Sequence, residues 1–403
     1  MRWWLFWLAC RSVAGATFYQ DVEPLLRKHC QRCHRPGEIG KMPLVTYAQV
    51  RPWAKAIREV VLRRRMPPWF AKSGSVKLAN DPRLSDEEIA VIDTWVRQSA
   101  PAGQPGPATP QASSPPEEMW DIEWTMPRPI RVPARGELPY QFVILPEKID
   151  HTRWVSAVEI RPGARSVVHH VVAYLREPQS EWLRDAPIGQ PFSRPGVTTS
   201  DILAVYAPGQ PPSVYPAGMA KRLPAGSELV LQLHYTPDGA LHEDRTSIRL
   251  RWTTTPPRYE VLTLQIATTK FRIPAYERRY RVSAYGTMPN DALLLSFFPH
   301  LHRRGAAFEY ALVQEGGRVD SLLLVEPYNF DWQLSYQLAQ PLPLKKGTRL
   351  LCTAWYDNSP NNPRNPDPSV DVTYGEQSDQ EMMVGFFDVA VPAGTTKQQF
   401  FVR

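Results

Sequence analysis

The sequence of 403 residues has few cysteines and no long apolar run. Its four cysteines are Cys10, Cys30, Cys33 and Cys352, of which only Cys30 and Cys33 lie close together. Cys352 stands alone in a strand-like segment and is interpreted as a small buried apolar residue. No run of about 18 apolar residues occurs, so no transmembrane segment is expected in the mature chain.

The sequence also lacks a long basic tail and any motif that interleaves basic and aromatic residues. Its formal net charge of +7 comes mostly from arginines, some of them clustered at 62–69. This pattern predicts a mildly basic, solvated surface and no nucleic-acid partner. A basic patch that docks an acidic electron-transfer partner is the alternative interpretation.

The N-terminus is similar to an export signal. Residues 1–16 begin with a positive charge, continue with an apolar run at 3–9 and end in small residues at 14–16. This order predicts a secretory signal peptide. The segment that ends at Cys10 also resembles a lipoprotein processing site, so a lipid anchor there is the alternative. Both interpretations predict a periplasmic or secreted protein.

Residues 17–100 carry helical patterns and are followed by a segment typical of a linker. Ser85 with Glu88 forms a capping box before an apolar stripe, and Thr46 is a plausible cap for the preceding helix. Three helices are therefore predicted in this range. Residues 101–118 are rich in Pro, Ala, Gly and Ser, which predicts a linker between domains.

Beyond residue 119 the pattern changes to short β-branched or alternating segments bounded by Pro and Gly. Such segments predict strands. About 285 residues of this pattern are too many for one small sandwich, so two are expected in tandem, at 119–255 and 256–403. The break between them is placed near 253–260, where the sequence reads TTTPPRYE.

The motif Cys30-x-x-Cys33-His34 has the spacing required for covalent attachment of one haem c. The two thiols reach the two vinyl groups, and the adjacent imidazole supplies an axial ligand to iron. A zinc or redox site is the alternative, which the lack of a second cysteine pair disfavours. Together with the helical pattern, the motif predicts a small all-α cytochrome c domain at 17–100.

The sixth haem ligand is expected downstream of the motif. Met66 is the leading candidate because it stands beside prolines at a predicted helix end, and Met42 is the alternative. A methionine and histidine pair raises the haem potential, which suits electron transfer.

Five further histidines are unevenly placed. His169 and His170 are adjacent, His234 ends a strand-like segment, and His300 and His302 form His-x-His. Because residues i and i+2 of a strand share a face, His-x-His can direct two imidazoles at one ion. Adjacent histidines point to opposite faces, so they can share a metal only if the strand bends.

The order of these histidines, followed by Glu381-Met382, resembles the copper type II, ascorbate-dependent monooxygenases. That family contains the peptidylglycine α-hydroxylating and dopamine β-monooxygenases. The resemblance spans about residues 120–400 and is strengthened by the Asn/Pro-rich segment 356–368. It implies two jelly-roll-like β-sandwich domains. The fold class expected for the chain is thus a small all-α cytochrome c domain followed by two all-β jelly-roll-like sandwiches, an architecture similar to known bacterial fusions.

The resemblance implies two copper ions held by six residues across a solvent-filled cleft. The implied ligands are His169, His170 and His234 for one ion, and His300, His302 and Met382 for the other. Met382 is preferred to Met383 because it directly follows an acidic residue. Imidazoles suit copper in both oxidation states, and a thioether favours Cu(I). The His300, His302 and Met382 set is thus the catalytic one.

The resulting hypothesis is an exported, haem c-containing dicopper monooxygenase that hydroxylates a C–H bond of a small organic substrate with O₂. The two electrons per turnover come from an external one-electron donor, ascorbate or a periplasmic redox protein, with the haem as a route to copper. The alternative is a non-catalytic periplasmic electron-transfer cytochrome whose β-sandwich module binds copper or docks a partner.

Two positions depart from the pattern of the amidating members of the family. Phe298 occupies the place of an arginine that binds the substrate carboxylate, and Phe386 occupies the place of a tyrosine. These differences disfavour peptide amidation and favour an apolar or aromatic substrate pocket.

Overall fold

The computed structural model describes residues 15–72, 74–106, 119–194 and 201–395. Most of the predicted signal peptide, with Cys10, and most of the predicted linker lie outside the described residues. The chain divides into two compact units. The first takes the described residues of 1–69 and 82–113, and the second takes those of 70–81 and 114–403.

The first unit is built from short helices around an apolar core. Its α-helices are α1 Glu23–His29, α2 Tyr47–Val50, α3 Ala54–Leu62 and α4 Asp86–Arg97. A π-helical turn at Phe18–Val22 precedes α1, and a 3₁₀ turn at Arg51–Trp53 joins α2 to α3. Reciprocal capping boxes at Thr46 and Ser85 begin α2 and α4, because each hydroxyl accepts a backbone N–H that the helix leaves unpaired.

The fold class predicted from the sequence is wrong, because no all-α cytochrome c domain spans 17–100. The chain is mostly β, and its α-helices are only 4 to 12 residues long. Residues 71–72, inside the predicted helical range, form strand β1 of the second unit. The preceding Pro67 and Pro68 lack backbone N–H groups and cannot continue a helix. The backbone N–H and C=O groups of the residues that follow therefore form their hydrogen bonds in a sheet.

The second unit consists of strands, which fits sandwich domains. They are β1 Ala71–Lys72, β2 Ile122–Thr125, β3 Ile130–Val132, β4 Gln141–Lys148, β5 Arg153–Arg161, β6 Val168–Arg176, β7 Asp201–Tyr206, β8 Ser213–Val214, β9 Met219–Leu223, β10 Glu228–Tyr235, β11 His242–Asp244, β12 Ser247–Trp252, β13 Tyr259–Ala267, β14 Arg272–Ile273, β15 Tyr280–Thr287, β16 Ala292–His300, β17 Gly305–Val313, β18 Val319–Val325, β19 Tyr336–Leu344, β20 Arg349–Tyr356, β21 Val372–Thr373 and β22 Val384–Pro392.

One nine-stranded sheet runs through both halves of this unit. Its order is β19-β16-β22-β13-β9-β5-β12-β2, with β8 paired to β5. The halves join where β13 pairs with β9 in parallel, through Tyr259 and Glu260. A four-stranded sheet, β4-β10-β6-β7, belongs to the first half, and a five-stranded sheet, β1-β18-β17-β20-β15, belongs to the second. The predicted break near 253–260 thus falls just before the strand that continues the shared sheet.

The buried faces of these sheets are apolar. Strand β6 is buried at all nine positions, as expected for a strand covered on both faces. It also carries His169 and His170, so the fold buries two polar side chains within an apolar strand. Among the residues that the structure describes, no helix has the length and apolar character needed to cross a membrane.

Candidate metal centre

A β-bulge brings His169, His170 and His234 together. On the paired strands β6 and β10, His234 lies opposite His170, but the next residue, Tyr235, lies opposite Val168. His169 is therefore the extra residue of a bulge, which bends the strand and redirects a side chain. This is the bend that two adjacent histidines need to reach one ion.

The three rings form a compact triangle, named here the three-histidine group. Their centroids are 4.9 to 5.3 Å apart, and one ring nitrogen from each lies within 4.8 Å of the other two. The Nδ1 atoms of His169 and His170 are 3.0 Å apart. Nε2 of His169 and Nδ1 of His234 are buried with no hydrogen-bond partner. Buried polar atoms normally have partners, so this donor set fits a metal ion.

Burial keeps the imidazoles of His170 and His234 neutral. It lowers the pKa of His234 to about 3, with a further contribution from the neighbouring His169. Burial, followed by the adjacent His234 and His169, also holds the pKa of His170 well below its usual value. Since only a neutral imidazole offers a lone pair to a metal, the rings of His170 and His234 can bind an ion without losing protons at neutral pH.

His300 and His302 form a second pair, the His300–His302 group. His300 is the last residue of β16, and His302 lies in the turn before β17. Their rings are 5.2 Å apart at 85°. Nδ1 of His300 lies 2.7 Å from the Gln333 side-chain oxygen, and Nδ1 of His302 lies 3.2 Å from the Gln380 carbonyl oxygen. Since those oxygens only accept, each Nδ1 donates, and each Nε2 keeps its lone pair for a ligand.

A buried carboxylate fixes the turn that holds His302. Glu381 is fully buried and accepts the backbone N–H groups of His302 at 2.9 Å and Arg304 at 2.6 Å. Burial raises the pKa of Glu381 to about 8. Burial also lowers the pKa of His302 to about 3, with the adjacent His300 second.

Arg304 connects this turn to the Asn/Pro-rich segment. Its buried guanidinium donates to the Asn358 side chain at 2.8 Å and to the backbone oxygens of Asp379 at 2.6 Å and Asp367 at 3.2 Å. The segment at 356–368 thus packs around the turn of the His300–His302 group. Its many Asn residues serve side chain-to-backbone hydrogen bonds of the kind that stabilise irregular loops.

The two methionines after Glu381 have different environments. Met383 is fully buried in the core, whereas Met382 is only partly buried, and its carbonyl accepts the Tyr356 hydroxyl at 2.6 Å. Met382 is therefore the more exposed of the two methionines.

A wide cleft borders His234 of the three-histidine group. It has a volume of about 1100 Å³, and its walls include His234, Tyr140 and Phe330. The Tyr140 ring lies 4.7 Å from that of His234, edge to face. Charged groups such as Arg303 and Arg364 also line the cleft, so it is wide enough and polar enough for a solvated small molecule.

The residues of the predicted haem motif lie in the first unit. Nδ1 of His34 is 3.1 Å from the Met42 carbonyl oxygen, which directs Nε2 away from the backbone. A Cβ on Gly40 would lie 2.5 Å from that Nδ1, so only glycine allows the ring this position. Burial raises the pKa of the Cys30 thiol to about 12 and that of Cys33 to about 11, so both are neutral thiols. These residues fit covalent attachment of a haem.

The two methionines considered as the sixth haem ligand also differ. Met42 is partly buried against the helical core, whereas Met66 is 38% exposed. Met66 is therefore the more available of the two.

Sequence reasoning missed several residues that contact the histidines. The most important are Asp331 and Gln333 in the loop between β18 and β19, together with Phe330. No spacing rule links them to the histidines, because only the tertiary fold brings that loop to both groups. The position of Glu381 beside Met382 was the one signal that pointed to a residue of this kind.

Comparisons with known proteins identify no relative. No protein-family model matches the chain, and no curated protein matches it significantly. A solved structure of infectious bursal disease virus, Gx strain, is similar at a TM-score of 0.20, with 7% identity over 70% of this chain and 76% of that one. The VP2 subviral particle of that virus gives a TM-score of 0.20, with 10% identity over 74% and 78%. Likenesses this weak carry no argument about fold or function.

Proposed function

We propose that the protein is a copper-dependent monooxygenase that hydroxylates a small organic substrate with O₂. The observation that carries the proposal is the three-histidine group. Two buried ring nitrogens there have no hydrogen-bond partner, and one nitrogen of each ring lies within 4.8 Å of the others. A bound ion would satisfy these atoms, which otherwise destabilise the fold by about 1–3 kcal/mol each.

The donor sets of the two groups suit different tasks. Three imidazoles accept copper in both oxidation states, so His169, His170 and His234 suit storage and delivery of an electron. His300 and His302 with the thioether of Met382 suit Cu(I), the form that reacts with O₂. When bound, copper would supply the redox chemistry that inserts one oxygen atom into a C–H bond and reduces the other to water.

The protein's own residues hold the site in one geometry. Gln333 and the Gln380 carbonyl fix the tautomers of His300 and His302, and Glu381 fixes the turn between them. Because the donors are held before an ion arrives, little reorganisation is needed on binding.

The substrate is expected to present an apolar body. Phe298 and Phe386 stack at 5.9 Å and lie opposite each other on β16 and β22. Phe298 shares a strand face with His300, two residues away. An aromatic or aliphatic substrate would pack against this pair, with its reacting C–H bond directed toward the His300–His302 group.

A haem at Cys30, Cys33 and His34 would accept single electrons from an ascorbate-like donor or a redox protein. Each hydroxylation consumes one O₂, two electrons and two protons, and it releases one water. The haem thus offers a route by which an external donor supplies those electrons.

The test is the metal content of the purified full-length protein, produced with haem c maturation and dialysed. Two copper ions per chain and one haem iron are expected, with hydroxylation of aromatic substrates in the presence of ascorbate. A chain that holds iron but no copper would contradict the monooxygenase and leave an electron-transfer protein with a docking module. Replacement of Cys30 and Cys33 by alanine tests the haem separately, since copper should remain bound.

A further inference from the structure

The loop between β18 and β19 contacts both histidine groups. Residues 330–333 of this loop, named here the 330–333 clamp, provide Phe330, Asp331 and Gln333 as the contacting residues. The clamp is well buried at its ends, with Phe330 7% exposed and Gln333 3% exposed. Phe330 and Gln333 are therefore packed in the interior, whereas the side chain of Asp331 between them is 48% exposed.

Asp331 faces the three-histidine group. Its Oδ1 lies 3.7 Å from Nε2 of His169, the buried nitrogen that has no hydrogen-bond partner. Nδ1 of His169 points toward His170 instead. At this distance the carboxylate makes no hydrogen bond, but its charge lies beside the ring of His169. Asp331 is held in turn by the guanidinium of Arg364.

Gln333 holds the other group. Its side-chain oxygen accepts Nδ1–H of His300 at 2.7 Å, while its side-chain nitrogen donates to the Phe330 carbonyl at 3.3 Å. The glutamine is thus hydrogen-bonded to the His300–His302 group on one side and to the clamp backbone on the other.

Phe330 completes the connection. Its ring lies 5.2 Å from the ring of His169, 6.2 Å from that of His234 and 6.5 Å from that of His302. A continuous path of contacts therefore runs from His300 through Gln333 and Phe330 to His169. Energetic coupling between sites needs packed contacts of this kind, together with an element that both sites bias.

We propose that the 330–333 clamp couples the two histidine groups, so that copper bound at one raises the copper affinity of the other. This inference rests on the proposed function, because it requires both groups to bind copper. Because Gln333 and Phe330 lie between the two groups, an ion that fixes a ring of one group also restrains the contacts that position the other. Coupling of this kind typically changes an affinity by about 5- to 150-fold.

The test is a competition titration of the metal-depleted full-length protein with Cu(II). The titration is monitored by electron paramagnetic resonance. The number of nitrogens that coordinate Cu(II) distinguishes the signal of copper at the three-histidine group from the signal of copper at the His300–His302 group. Gln333→Leu removes the acceptor of His300. It is expected to weaken copper at the His300–His302 group about 10- to 100-fold. It should also weaken copper at the three-histidine group by about fivefold or more, although Gln333 bonds none of those histidines.

Two further variants make this result specific. Gln333→Glu keeps an oxygen acceptor for His300 and should restore copper binding at the His300–His302 group. Glu326→Gln changes a carboxylate in the same loop that pairs with Lys72 and Arg279 instead of a histidine, and it should change neither signal. Thermal unfolding of each metal-depleted variant checks that it is folded.

The outcomes separate the inference from the proposed function. If Gln333→Leu weakens copper binding only at the His300–His302 group, the clamp contacts the two groups independently and the proposed coupling is wrong. The proposal that both groups bind copper is unaffected by that result. If the wild-type protein shows no copper signal from either group, the proposed function and the coupling fail together.

Discussion

The two histidine groups are held in different ways. The three-histidine group is carried by paired strands and a bulge, and two of its ring nitrogens have no hydrogen-bond partner. The His300–His302 group lies at a strand end and a turn, and both of its Nδ1 atoms are hydrogen-bonded to oxygens. The second arrangement is stabilised by hydrogen bonds within the protein, whereas the first leaves two buried ring nitrogens without such a bond. A metal should therefore matter more to the stability of the first.

The largest expected effect is a loss of stability in acid. Burial lowers the pKa of His302 and His234 to about 3, so between pH 6.5 and 3 the unfolded chain binds more protons than the folded one. Stability is therefore fully present above pH 6.5 and falls as the pH falls, by about 1.4 kcal/mol per pH unit for a fully buried histidine such as His302.

Glu381 acts in the opposite direction. Its pKa is raised to about 8, so its contribution is fully present below its unfolded pKa and is lost as the pH rises through 8. Urea unfolding of the metal-depleted protein from pH 8 to pH 4 measures the sum of these contributions to the free energy of unfolding. Below pH 6.5 the contribution of the histidines should dominate, so stability should fall with the pH. His302→Gln should reduce the slope. An unchanged slope in His302→Gln would refute the assignment.

The second effect separates the two groups directly. His234→Leu should lower copper affinity at the three-histidine group by about 100-fold or more, because one of three ligands is lost. The same variant should leave the metal-depleted protein as stable or more stable, since a buried nitrogen without a partner disappears.

The matched variant is His302→Leu, which removes the hydrogen bond to the Gln380 carbonyl. It should destabilise the metal-depleted protein by about 1–3 kcal/mol. Copper titration and thermal unfolding measure both quantities. Equal losses of stability in the two metal-depleted variants would remove the distinction between the groups.

The smallest of the three effects concerns the turn at His302. Glu381→Gln replaces one of two acceptor oxygens with an amide that cannot accept, so one backbone N–H at His302 or Arg304 loses its partner. The expected destabilisation is about 1–3 kcal/mol, read from the urea midpoint at constant slope. Glu326→Gln, on a more exposed carboxylate, is the control and should cost less than about 1 kcal/mol. A Glu381→Gln midpoint equal to the wild type would contradict the role given to this carboxylate.

Several features of the candidate centre were readable from the sequence. The strand pattern predicted β-structure around His169, His234 and His300, and the structure has each of them in a strand. The capping box at Ser85 and the cap at Thr46 predicted helix starts that the structure has. These features are local, since caps and alternation depend on neighbours only a few residues away.

The helical prediction for residues 17–100 shows the limit of what local sequence patterns can predict. The apolar stripes of α3 and α4 were visible, but nothing local indicated that residues 71–72 would pair with Val325 and Leu324. A strand pair so distant in sequence depends on which backbone groups remain unpaired elsewhere. The prediction of an all-α domain failed for that reason.

The sequence by itself determined the residue types proposed for the centre, five histidines and the methionine after Glu381, because imidazole and thioether groups are ligands that suit copper. The tertiary structure alone decided how the histidines of each group converge. The bulge at His169 arises from the register of β6 against β10, and the 330–333 clamp reaches both groups only because the sheets are packed. Register and packing are properties of the whole fold, since each strand position is set by partners far away in the chain.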